Sequence, residues 1–447
     1  MSLIQPSRNL LEELRLQWSL AWPVAIGQIA IVSMYLTDNI MVGHVSKVEM
    51  AGVATGAWWF ISLYLPLLGM VRVLDPMVSQ AIGAGDEHGA ARGLARGAVL
   101  TAITTVAAAI GLALAGPALA LLGQPAEAIP VAVQYCRLLI PGLPGAFGFF
   151  LLRTWLQARG EMRQGNVAIV LANVVNVVLD WAFIYGHLGA PAMGGAGAAI
   201  ATSVGSWFQL FVCAGMSAPL WKPAVAHLSD AVRFDSWGKL LPLGVPLAFQ
   251  AGTEIWAFSI AGWMTGWVSS AALSAHLIAI NLSSLSFNIA LGFSTAAATR
   301  VGQLIGAGHG FGQTAIAAHI WGIAVMSLFG LVFAFYSTPL AQIYSDDPEV
   351  IAIALQLMPL AAAFQLFDGT QVIAFGVLRG AGDVRLPTIA NIVGFWCFGL
   401  PLGAYLLLKT SLGAQGVWVG LAFALAIVSL LLVARVRWTV ARGGFRV

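Results

Sequence analysis

The chain has 447 residues, of which 59% are hydrophobic and only 9% charged, about a third of the charged fraction usual in a soluble domain. That balance excludes an ordinary soluble fold, and a net charge of +3 held in short loops is explained by membrane topology better than by nucleic-acid binding. Cys136, Cys213 and Cys397 sit in apolar stretches with no CxxC pair, so they are expected to be packing residues rather than a disulfide framework or a metal site.

Arg8, Glu12, Glu13 and Arg15 open the chain without a small-residue cleavage site, so this segment is expected to stay attached rather than act as a signal peptide. Apolar windows long enough to cross a bilayer then recur about twelve times. They fall at roughly 16 to 42, 52 to 74, 94 to 117, 130 to 152, 166 to 186, 194 to 219, 239 to 265, 272 to 298, 314 to 337, 350 to 375, 386 to 408 and 414 to 435. Alternate connections carry Arg72, Arg92 and Arg96, then Arg153, Arg159 and Arg163, then Lys222, Arg233 and Lys239, then Arg300, then Arg379 and Arg385. The tail adds Arg435, Arg437, Arg442 and Arg446, whereas the opposite connections offer Lys47 and Lys409 beside Asp346, Asp347 and Glu349. Basic residues favour the cytoplasm, which predicts an even number of spans with both termini inside.

The chain repeats itself. MVSQAIGAG ends at Gly85 and RVGQLIGAG at Gly308, about 223 residues apart; Pro23 and Ala25 fall on Pro246 and Ala248 under the same shift, and LQARGEMR from Leu156 aligns with LRGAGDVR from Leu378. Two similar six-span halves are expected, residues 1–225 and 226–447, joined by a polar linker at about 220–239. Parallel repeats of this kind place solute sites at the interface of the halves.

The acids inside the spans break that symmetry: Asp38 falls on Ala261, Glu254 on Ile31 and Asp368 on Ala146. An aspartate near a bilayer centre costs about 2.5 to 3.5 kcal/mol, so each such acid predicts a function with partners. In the first half Asp38 closes span one, and Asn176 and Asp180 stand one turn apart on span five, a hard-oxygen set suited to a proton or Na+. Thr202 in span six is positioned to add a hydroxyl. In the second half Gln250 and Glu254 lie one turn apart, Asn281, Ser284 and Asn288 line one face of span eight, and Asp368 shares a face of span ten with Gln365 and Gln371. Amides and hydroxyls also glue helices together, and that plainer role suffices for Asn176, Asn281 or Asn288 taken singly. It does not cover the carboxylates.

Other residues read more plainly. Trp58, Trp59, Trp256, Trp263 and Trp267 fit the aromatic belt of a membrane interface, although a ring among them could stack on a solute. His276 reads as a satisfied polar group. The GxGD strings at Gly83–Asp86 and Gly380–Asp383 resemble the signature of aspartyl intramembrane proteases, but they lie beside arginines in loops, where glycine-permitted turns explain them.

LTDNIMVGH in span one, the QxIGAG loops, SAHLIAINLSSL in span eight and FQLFDGTQVIAFGVLRGAGD in span ten resemble the multidrug and toxic compound extrusion (MATE) family, in particular its NorM branch. The similarity runs from about residue 16 to 435. It implies an all-α integral membrane protein of twelve transmembrane helices, two pseudo-symmetric six-helix lobes around a V-shaped central cleft. By the same resemblance the protein is not an enzyme; it exports small, often cationic, hydrophobic drugs or toxic metabolites in exchange for H+ or Na+ and needs no cofactor beyond that ion. Cation-binding residues are expected at Asp38, Asn176, Asp180, Thr202, Glu254 and Asp368, and substrate-binding residues at Glu254, Asp368, Gln250, Asn281, Ser284, Asn288 and Gln365. Asp180 stands where many NorM members carry asparagine, and the Asp, Asn, Asp, Thr set looks more like the DinF and archaeal branch, so either lobe remains open as the seat of the coupling ion. Expected partners are the solute and membrane lipid, with no nucleic acid, in a monomer of the bacterial inner membrane. Two rivals stay in view. A lipid-linked oligosaccharide flippase would call for more cleft arginines than Arg137, and an intramembrane protease would need paired acids in a peptide-sized groove.

Overall fold

The computed structural model describes residues 5–43, 45–233, 237–238 and 240–446, with the side chains of Tyr35, Leu36, Asn39 and Lys47 excepted. Lys239, predicted at the end of the linker, lies outside the described residues. No strand occurs among them. The long helices are α1 (Leu10–Gly43), α2 (Lys47–Val71), α3 (Glu87–Ala113), α4 (Ile129–Ala158), α5 (Met162–Tyr185) and α6 (Gly195–Met216), followed by α7 (Leu240–Gly266), α8 (Ser270–Gly306), α9 (Gly312–Phe335), α10 (Pro348–Gly380), α11 (Arg385–Lys409) and α12 (Ala414–Arg442). Among the described residues, eleven helical segments are long and apolar enough to cross a membrane. The other long helix, α7, has 27 residues and carries Gln250, Thr253 and Glu254 through its middle, which lowers its hydropathy without shortening it.

Local chemistry sets the ends. Ser46 caps α2 by accepting from Glu49 N at 3.1 Å, Asp86 caps α3 by accepting from Gly89 N at 2.7 Å, and Ser269 caps α8 by accepting from Ala272 N at 3.0 Å. Gly186, at φ 80°, ends α5 in the left-handed region that side chains avoid. α4 tightens into a 3-10 turn at Ile140–Gly142, around Pro141, and α11 widens into a π turn at Val393–Gly399, just before Pro401, whose missing N–H cannot continue an α ladder.

Several helices outrun their apolar windows. α1 begins at Leu10 rather than near 16, α8 continues to Gly306 rather than 298, and α12 reaches Arg442 rather than 435. The first two extensions share a cause: Arg300 on α8, fully buried, donates to Glu13 on α1 through Nε at 3.2 Å and Nη2 at 3.1 Å, while Thr314 Oγ1 donates to the same carboxylate at 2.8 Å. Ser7 also bonds Glu13, and Gln5 O accepts from Arg300 at 2.8 Å. Charges that would end a helix in lipid are neutralised by each other, and the helices carry on. The linker is not a bare strand of polar chain either, since Ala218–Trp221, Lys222–His227 and Leu228–Ala231 are short helical turns.

The chain packs as two compact units. One holds Ile26–Ile82 and Asp86–Ala248; the other holds the chain up to Ala25, Gly83–Gly85 and everything from Phe249 onward. The boundaries inside α1 and α7 lie just past Pro23 and Pro246, at positions related by the repeat shift. In the first unit Phe147, Trp155, Leu112 and Leu119 are among the buried core residues; in the second, Phe293, Phe311, Phe395 and Trp418 are. α8 and α10 approach backbone to backbone: a Cβ added at Gly376 or Gly380, a GxxxG pair, would run into the carbonyls of Ser294 or Ala298. Cys136 and Cys213 are core residues as expected, but Cys397 is exposed on the π turn.

Candidate functional site

In the unit of Ile26–Ala248, α1, α5 and α6 bring four predicted residues together. Asn176 and Asp180 project from one face of α5 and are fully buried; Asp38, near the end of α1, is 6% exposed. Thr202 Oγ1 donates to Asp38 Oδ2 at 2.9 Å. Turned so that its nitrogen faces the acids, the orientation that satisfies both of its ends, the Asn176 amide donates to Asp38 Oδ1 at 2.9 Å and to Asp180 Oδ2 at 3.1 Å. One amide therefore bridges two carboxylates. Asp180 Oδ1 is buried without a hydrogen-bond partner among the described residues. α1 is held against α5 along its length, by Asn173 Nδ2 donating to Ala30 O at 2.8 Å and Tyr185 Oη donating to Met41 O at 2.8 Å, which fixes the register that delivers Asp38.

Two acids this close repel unless positive charge joins them, and a single neutral amide supplies none. The set is built of hard oxygens, suits a proton or a small cation such as Na+, and leaves one carboxylate oxygen unclaimed for it.

In the other unit Glu254 of α7 is half-buried and Asp368 of α10 is 3% exposed, and the two stand within electrostatic reach of each other. Asn391 of α11, fully buried, donates through Nδ2 to Glu254 Oε2 at 3.3 Å, and its Oδ1 accepts from Thr253 Oγ1 at 3.3 Å. Sequence reasoning missed Asn391; the signal was a lone amide in the apolar run of span eleven. Gln365 and Gln371 are buried beside Asp368 on their shared face, with Gln365 Oε1 accepting from Ser286 Oγ at 2.9 Å. Gln250 is half-buried. Asn281 and Ser284 lie on an exposed face of α8, and Asn288 turns its amide onto its own helix, donating to Ser284 O at 2.8 Å. These three share the predicted face, but they are set toward the outside of their unit rather than gathered with Asp368 in a buried interior.

The plainer readings also meet the structure. Trp59 Nε1 donates to Gly111 O at 3.1 Å, whereas Trp256, Trp263 and Trp267 are exposed. His276, near the start of α8, is not a satisfied polar group: it is 2% exposed, packs edge-on against Trp418, and its Nδ1 has no partner among the described residues. Gly85 and Gly382 take φ of 74° and 76°, so the GxGD strings are left-handed turns; Asp86 caps α3 and Asp383 pairs with Arg435.

A duplicated bundle of long apolar helices with acids buried inside its units defines a membrane transporter rather than an enzyme. The MatE family model matches residues 23–182 and again 246–405, the two matches offset by the repeat shift. Multidrug resistance protein NorM of Burkholderia vietnamiensis is 32% identical over 427 residues, covering 92% of this chain and 91% of that one; multidrug resistance protein MdtK of Edwardsiella ictaluri is 30% identical over 446 residues, covering 95% of each. The crystal structure of the eukaryotic MATE transporter AtDTX14 superposes with a TM-score of 0.89 over 97% of this chain and 98% of that one at 20% identity, and the bent form of Vibrio cholerae MATE transporter VcmN with 0.84 over 97% and 98% at 18% identity. The chain belongs to the MATE family, in its NorM/MdtK-like branch, and has the two-lobe, twelve-helix fold of that family. It is a multi-pass membrane protein of the efflux class.

Proposed function

We propose that this transporter exports small hydrophobic solutes, often cationic drugs or toxic metabolites, in exchange for H+ or Na+ by alternating access, with the ion seated at Asp38, Asn176, Asp180 and Thr202. The observation that carries the reading is the amide-bridged carboxylate pair, with Asp180 Oδ1 left unclaimed among the described residues. The names of the NorM and MdtK relatives, multidrug resistance proteins, support the solute class. Glu254 and Asp368 are assigned to a cationic solute or a second ion, with Gln250, Asn281, Ser284, Asn288 and Gln365 as further solute contacts. The repeat halves, residues 1–225 and 226–447, are the proposed lobes, acting as a monomer in a bacterial inner membrane with both termini in the cytoplasm, as the arginine distribution supports.

An ion entering the cluster removes the repulsion between the acids and so favours the conformation that holds it; a cationic solute meets acids that are charged only when the ion has gone. Coupling is then a difference in affinity between two states. Energy suffices, since one charge moved through about 100 mV yields about 2.3 kcal/mol, roughly fortyfold in a solute gradient. Adding a fluorescent cation to proteoliposomes should release H+ or Na+ in proportion to solute carried. Ion release unchanged by Asp38→Asn would remove the cluster from the mechanism.

A further inference from the structure

α12 is longer than a membrane requires. Its 29 residues from Ala414 to Arg442 span roughly 43 Å at 1.5 Å per residue, against a hydrocarbon core of about 30 Å. The surplus lies at the C-terminal end: the helix opens on Ala414, Gln415 and Gly416 and closes on Arg435, Arg437 and Arg442. Its last two turns therefore stand at headgroup depth.

The side chains there are arranged, not merely basic. Arg435, Trp438 and Arg442 stand at i, i+3 and i+7 on one helix face, and both guanidinium groups rest on the same indole, 3.8 Å and 4.1 Å from its centroid. Phe445 lies 6.1 Å from Trp438, ring to ring, and its N–H donates to Ala381 O at 2.9 Å, which folds the tail back onto the loop after α10. Gly443 and Gly444, at φ 77° and 78°, make that reversal possible. Asp383 neutralises Arg435, while Arg442 has no carboxylate partner among the described residues. Arg437, Arg442 and Arg446 are exposed, and Trp438 and Phe445 are 36% and 38% exposed. The result is an aromatic platform that carries the solvent-facing Arg442 guanidinium, with the exposed Arg446 next to Phe445 in the chain, while Arg437, about 200° round the helix from Arg435, faces away from it.

We propose that this face, the end of α12 with its tail, is a binding site for the anionic headgroup of a phospholipid in the leaflet that surrounds it. The indole sits at the polar–apolar boundary and Arg442 offers paired N–H donors to a phosphodiester, with Arg446 adding charge. A lipid is favoured over a soluble anion because the platform is aromatic and lies at the depth where headgroups are.

The purified full-length protein in nanodiscs tests this, with native mass spectrometry counting retained lipid at graded fractions of phosphatidylglycerol in phosphatidylcholine. Each exposed arginine is expected to contribute about fivefold to affinity for the anionic lipid, so Arg442→Gln should lose about that factor, and Arg442→Gln with Arg446→Gln about twenty-five-fold. Arg163→Gln, an exposed arginine at the start of α5 with no aromatic platform, is the control. Losses confined to the α12 variants establish the site. An equal loss in Arg163→Gln would show only general attraction to a charged leaflet and overturn the proposal, as would displacement of the lipid by millimolar inorganic phosphate.

Discussion

Asp180 is the residue on which the proposed ion site turns. It is fully buried, shares one amide with Asp38, and keeps one oxygen without a donor among the described residues, so replacing it by asparagine removes a charge and adds a donor at the place where the cation is assigned. Thr202 contributes only a hydroxyl to Asp38. The two substitutions should therefore separate. Asp180→Asn should abolish ion-driven transport, whereas Thr202→Val should raise the ion concentration needed for half-maximal rate by roughly tenfold, the equivalent of about 1.5 kcal/mol for a lost hydrogen bond to a charged group. Transport rates at graded pH and graded Na+ check this; equal effects from the two would place the ion elsewhere. Much of this cluster was legible beforehand, because a carboxylate in an apolar span is costly and the i, i+4 spacing of Asn176 and Asp180 fixes a common face. What was not legible is the bridging role of Asn176, which depends on α1 and α5 meeting in one register, and the presence of Asn391 beside Glu254, which depends on a contact between α7 and α11 more than a hundred residues apart in the chain.

At the scale of helices, the head of α1 is tied to α8 and α9 by one buried ion pair. Arg300 and Glu13 are almost completely inaccessible, and Trp321 Nε1 donating to Leu14 O at 2.9 Å adds a second tie one residue on. Removing one partner strands the other's charge in an apolar setting, at a cost of about 3–5 kcal/mol, while replacing both with apolar residues of similar size leaves no stranded charge. Arg300→Met should lower the thermal unfolding temperature in detergent well below the wild type, and Arg300→Met with Glu13→Leu should recover most of the loss. A double variant no better than the single would mean that the arginine acts through Gln5 O and its packing rather than through Glu13. This pair also explains where span prediction went astray: hydropathy counts each charge as an end, and it has no means of pairing Glu13 with a residue 287 positions later. Boundaries set by local chemistry, such as Ser269 before α8 and Gly186 after α5, were written in the adjacent residues.

For the molecule as a whole, the repeat was the strongest signal in the chain. Two matches to one family model at the same offset, and two helices divided at equivalent points after Pro23 and Pro246, record a duplication whose halves have kept their scaffold. Scaffold symmetry with chemical asymmetry is the pattern expected when the copies have taken different tasks. Asp38 and Asp180 share an amide in one unit, and Glu254 and Asp368 stand within electrostatic reach of each other in the other. In the proposed mechanism the first cluster draws energy from an ion gradient and the second meets the solute. Uphill export of a fluorescent organic cation from proteoliposomes, driven by an imposed pH or Na+ gradient, tests that claim most directly when the wild type, Asp180→Asn and Asp368→Asn are measured side by side. Gradient-driven export is expected of the wild type, with solute still bound but export no longer responsive to the gradient in Asp180→Asn, and weakened solute binding in Asp368→Asn. Export by Asp180→Asn that follows the gradient as steeply as the wild type would contradict it.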